Sequence, residues 1–170
     1  MEDWPDQLQR YLQGPDRLIW VVRDIPEAQL DWSLDEDSWS IRHIVHHLAD
    51  GDDIWSGFIK QALGGQDGEF SLSWYWSMPQ DSWVEKWGYA SRDIQPSLEL
   101  YRANREHIGT LLQSAAQPWG FSLNITWVDG TIKKVTVADV IKSQADHLEG
   151  HLEDIRQILD THSSADPSGA

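Results

Sequence analysis

The sequence predicts an all-α protein, a four-helix bundle with a long crossover between its second and third helices and a small β-hairpin before its last. Three observations carry this reading. Four long stretches place apolar residues at the 3.6-residue helical period. A single stretch near residue 125 alternates with period two and ends in Asp-Gly, a hairpin signal. Between the second and third helical stretches lies a long connection rich in aromatic residues. Four helices with one insertion describe a bundle.

The first helical region covers residues 4–24. Pro5 and Pro15 both suit a first helical turn, so Gly14-Pro15 is expected to break or kink the segment. An acidic connection, Ile25 to Asp37, follows. The second helix is expected from Ile41 to Ala62, with Ser40 as its N-cap and Gly64-Gly65 as its stop. Ile41, Ile44, Val45, Leu48, Trp55, Ile59 and Ala62 form its buried face. His47 flanks that face, whereas His46 points to the opposite side.

Gly64 to Tyr89 is too aromatic to be disordered and is expected to wrap over the body, with a short helix near Ser82–Gly88. The third helix runs from Ile94 to Ser114. Phe121, Leu123, Ile125 and Trp127 then share one strand face, Asp129-Gly130 predicts a type I′ turn, and Thr131–Val135 returns. The last helix, Thr136 to Leu159, opens on a capping-box-like Thr136-x-x-Asp139. Residues 1–160 read as one domain and 161–170 as a disordered, Ser/Pro/Gly-rich tail.

Composition narrows the function. There are no cysteines, which removes disulfides, thiolate metal sites and cysteine nucleophiles. The formal net charge of −15 repels phosphate backbones and argues against nucleic acid. No apolar run spans a membrane and no signal peptide is read at the N-terminus, so a cytoplasmic protein with no membrane partner is expected. Eleven tryptophans must line something: core, pocket wall or dimer interface.

The histidines carry the candidate chemistry. Seven in 170 residues would give about 0.3 pairs at spacing four by chance, and two occur, His43/His47 and His147/His151. Residues at i and i+4 share a helix face, so His147 and His151 can reach one ion. Neutral imidazole is the commonest protein metal ligand, and three ligands with an open position suit a catalytic site. The plain alternative is a set of ordinary core-edge histidines.

WSIRHIVHHLAD (Trp39–Asp50) and DHLEGHLEDIRQIL (Asp146–Leu159), together with the acidic lead-in PEAQLDWSLDEDSWS, resemble the DinB-like superfamily over about residues 8–160. The resemblance implies one divalent metal held by His47, His147 and His151. Zinc is the first choice, with nickel, manganese or iron as alternatives. It also implies a homodimer, a small-molecule substrate and a possible low-molecular-weight thiol co-substrate, that is, a thiol S-transferase related to bacillithiol- or mycothiol-dependent enzymes. The alternatives are a metal-dependent hydrolase, a non-catalytic, stress-related protein binding a metal or small ligand, and a bundle that has lost its metal. His43 is expected at the surface or behind the ligands, with a lesser case for ligation. His107 and His162 are expected to have no site role. Asp50, Asp146 and Asp154 are read as surface carboxylates near the ligands. Gln144, Trp74 and Trp76 are candidates for the pocket wall.

Overall fold

Long runs with an apolar stripe and few internal breakers become the four long helices α1 (Trp4–Val22), α2 (Ile41–Leu63), α4 (Gln95–Ser114) and α5 (Val137–Ala165), with a short α3 (Gln80–Lys86) in the crossover. A computed structural model describes residues 4–65 and 68–165. Packing pairs α2 with α4 and α5, and α1 with α4 and α5. The strands β1 (Ser122–Thr126) and β2 (Ile132–Thr136) form an antiparallel hairpin with Thr126 opposite Ile132. No helix among the described residues is long and apolar enough to cross a membrane.

Local chemistry sets the helix ends. Ser40 caps α2: its hydroxyl accepts the His43 N–H, and His43 Nδ1 accepts the Ser40 N–H at 3.4 Å. His43 thus occupies the capping-box place usually given to Glu or Gln. At α5, Asp139 Oδ2 accepts from the Thr136 N–H at 2.9 Å, and Thr136 Oγ1 accepts from the Asp139 N–H at 3.0 Å, as the T-x-x-D pattern predicts.

Several expectations are corrected. Gly14-Pro15 does not break α1, which runs unbroken through Pro15. Proline supplies no N–H to the carbonyl four residues back. That carbonyl, Tyr11 O, instead accepts from Arg105 Nη1 of α4 at 2.8 Å. Gly14 makes the approach possible, since a Cβ there would lie 2.3 Å from the same nitrogen. The turn of the hairpin is not type I′, which needs positive φ at two residues. Only Gly130 is left-handed (φ 80°); the Gly130 N–H meets Trp127 O and the Trp127 N–H meets Thr131 O, giving a three-residue loop closed by a left-handed glycine. Phe121 leaves the apolar face and is 37% exposed. The crossover helix forms two residues earlier than expected. Finally, α5 continues to Ala165, so residues 161–165 of the expected tail are helical. His162 Nε2 lies 2.9 Å from Ser33 O and its ring stacks on Trp32. Residues 166–170 lie outside the described residues.

The core divides into two apolar clusters, one around Leu18, Ile44, Leu48, Leu98 and Leu152, the other around Phe58, Ile108, Ile125 and Ile141. A polar layer separates them. Arg105, 1% exposed, donates to Asp52 on α2 (2.9 Å), Tyr11 O on α1 and Gln144 O on α5 (3.0 Å), and sits between the Tyr11 and Tyr101 rings at 4.2 and 4.3 Å. Burial pushes the Asp52 carboxyl up to about 6, against the pull of Arg105.

Candidate metal centre

His47 lies about two turns beyond the Ser40 cap of α2, and His147 and His151 lie on successive turns of α5, the helix packed beside it. His147 Nε2 is 3.1 Å from His47 Nε2 and 3.0 Å from His151 Nε2. These edges are close to the roughly 3.3 Å expected between two nitrogens about 2 Å from one tetrahedral ion. Ligand atoms of the three residues all lie within 4.8 Å of one another, and this is the group of three or more such residues found among the described residues.

The electrostatics suit neutral imidazoles. Burial, with His147 and His151 close by, pushes His47 down to about 3. Burial, His151 and Arg105 push His147 down to about 4. Burial also lowers His151, while Asp154 pulls it up. At neutral pH all three imidazoles are therefore uncharged, and each has a ring lone pair to offer a metal. Asp154 Oδ2 sits 3.0 Å from His151 Nδ1, so it can hold that nitrogen's proton and leave Nε2 free as a donor to a metal. The residues present fit a divalent cation that accepts nitrogen ligands.

Trp39 roofs the group. Its ring meets His47 edge-on at 4.6 Å and stacks near His151 at 6.3 Å, and its indole N–H donates to Asp81 of α3 at 3.0 Å. Beside His47 and His147 opens a cleft of about 270 Å³, walled by Trp55, Tyr75, Trp76 and Trp127, with Gln144 at its edge.

The structure brings together His47, His147 and His151, and His43, His107 and His162 are not in that group. Four readings change. His46 faces away from the centre, as read, but into protein: it is fully buried, with Nδ1 2.8 Å from Ser97 Oγ on α4. Asp154 is half exposed yet orients a candidate ligand, so it is more than a surface carboxylate. Asp50 accepts from the Tyr89 hydroxyl and Asp146 pairs with Lys142 and Arg10, both away from the histidines. Trp76 lines the cleft, but Trp74 lines a neighbouring groove with Asp50 and Arg92. Trp39 was missed. Its signal was its place just before the Ser40 cap, where an apolar side chain folds back toward the fourth helical residue, here Ile44.

A helical bundle that aims three neutral histidines at one point beside a small cleft has the architecture of a metal-site protein. The chain belongs to the DinB superfamily, whose family model matches residues 10–155. It is 23% identical over 165 residues to a protein of Oceanobacillus iheyensis named "Putative metal-dependent hydrolase OB0413", covering 97% of this chain and 88% of that one. Its fold is similar to that of Bacillus subtilis YfiT, with a TM-score of 0.82, 19% identity, and coverage of 96% and 89% of the two chains. YfiT is described as "a probable metal-dependent hydrolase with an unusual four-helix bundle topology".

Proposed function

We propose that this protein is a divalent-metal-dependent hydrolase whose metal is held by His47, His147 and His151. The observation that carries the proposal is the convergence of three neutral Nε2 atoms on one point at the mouth of an aromatic cleft. His47, His147 and His151 would hold the ion, which would supply Lewis acidity toward water and a substrate carbonyl. The chain's own residues prepare that chemistry. Burial keeps the imidazoles unprotonated. Asp154 fixes the His151 ring, and Trp39 shields His47 and His151 from bulk water. The cleft brings a substrate against His47 and His147 without placing a charged side chain beside it. The names of the relatives at similar length support hydrolysis. Thiol transfer, which the family resemblance had put first, draws no support from them.

The test is metal content followed by turnover. Wild-type protein loaded with zinc, manganese or nickel is expected to bind about one ion per chain. It should then hydrolyse members of a panel of nitrophenyl esters and anilides without any thiol. A His147→Ala/His151→Ala variant should lose both properties. Absence of metal from the wild type, or hydrolysis that survives in the variant, would refute the reading. Turnover that appears only when a thiol is added would move the protein to the transferases.

A further inference from the structure

The cleft beside His47 and His147 has an unusual lining for this chain. Asp, Glu, Lys and Arg make up 24% of the sequence, yet none of them lines it. Its walls are Trp55, Tyr75, Trp76 and Trp127. An ionised ligand group placed there would lose its water and gain no counter-charge from the wall. Flat rings, by contrast, lie well against indole and phenol faces.

Two further observations sharpen the class. The indole N–H groups of Trp76 and Trp127 are buried and have no hydrogen-bond partner in the protein. Closed off from the cleft, they offer no hydrogen bond to a ligand there, so the wall meets a ligand as ring surface. Both residues line the cleft, with ring centroids 5.9 Å apart. Gly51 lies in the middle of α2, where glycine costs about 1 kcal/mol relative to alanine. A Cβ at Gly51 would meet nothing within 4 Å, so the missing side chain is open space on the cleft side of the helix. At about 270 Å³ the cleft falls just below the usual range for drug-sized ligands, enough for one ring system.

We infer that the cleft selects a small, uncharged aromatic or heteroaromatic compound. The ring lies among the aromatic walls, beside His47 and His147. This rests on the hydrolase reading for its role in turnover, but binding itself needs no metal.

The experiment therefore uses EDTA-stripped protein at pH 7.5 and scores binding alone, by ligand-observed NMR titration. The probes are benzamide, benzoate, benzylammonium and toluene. Benzamide and toluene are each expected to bind about ten-fold or more tightly than either ion. Gly51→Leu fills the open space and raises helix propensity, so it should fold and abolish benzamide binding. Trp76→Phe and Trp127→Phe keep a ring and remove only the enclosed donor, and should leave the ranking of the four probes unchanged. Equal or tighter binding of benzoate or benzylammonium overturns the inference. So does benzamide binding that survives in folded Gly51→Leu, or no benzamide binding in the wild type. Should a tryptophan variant fail to fold, the wild-type ranking and Gly51→Leu still decide. Failure of hydrolysis with intact benzamide selectivity would fall on the hydrolase reading alone.

Discussion

Acidification should destabilise the metal-free protein through His47 and His147, and the size of the effect can be worked from their surroundings. In the unfolded chain each imidazole takes up a proton near 6.5. In the fold, His47 resists protonation down to about 3 and His147 down to about 4. Above pH 6.5 both states are neutral and nothing is lost. Below it the unfolded chain binds protons that the fold refuses, so stability falls until the folded pKa values are reached. Each pH unit costs about 1.4 kcal/mol per histidine. At pH 5 the loss is therefore about 2 kcal/mol each and about 4 kcal/mol together, a large share of the 5–15 kcal/mol typical of a domain. The assay is urea unfolding in EDTA at pH 7.5, 6.5, 5.5 and 5.0, comparing wild type with His47→Gln/His147→Gln. Glutamine does not titrate, and the carboxylates common to both proteins cancel in the difference. The variant is expected to gain on the wild type steadily as the pH falls below 6.5. Two curves that descend in parallel would refute the argument that these imidazoles are held neutral by burial.

Three other outcomes follow from the same geometry. Arg105→Met leaves Asp52 buried without its cation and should cost about 3–5 kcal/mol in chemical denaturation at pH 8, with a smaller loss at pH 5, where Asp52 can take a proton. Asp154→Asn removes the carboxylate behind His151. Because Asp154 is half exposed, zinc affinity measured by chelator competition should fall at the low end of the usual range, about ten-fold. Trp39→Ala uncovers His47 and His151 and should speed zinc removal by a colorimetric chelator several-fold. Trp39→Phe, which keeps a ring and loses the bond to Asp81, should stay near the wild-type rate.

The helices and the three histidines were legible because a helical period converts spacing directly into direction. His147 and His151 differ by one turn, and His47 sits at the rim of an apolar stripe. The same projection misjudged His46, because a single-stripe wheel cannot show that α2 is covered on two sides, by α5 and by α4. Asp154 was ambiguous in sequence, since an i+3 carboxylate looks the same whether it faces solvent or an imidazole. The crossover has no period at all, so which of its tryptophans reach the cleft is decided by tertiary packing. Trp76 does so and Trp74 does not. Pro15 misled for another reason: its cost to a helix is usually counted within the helix, and here the orphaned carbonyl is served from α4.

Arg105 also bears on how the protein opens. Its guanidinium is partnered by groups from α1, α2 and α5 while it is carried by α4, so the departure of any one long helix uncovers a cation whose other partners remain buried. Partial opening is thereby penalised relative to complete opening. Native-state hydrogen exchange should accordingly find the middle turns of all four helices exchanging as one cooperative unit. The crossover meets that unit at the histidines through the contact between Trp39 and Asp81 and, further along, through Leu72 in the core, while the three imidazoles stand on the long helices themselves.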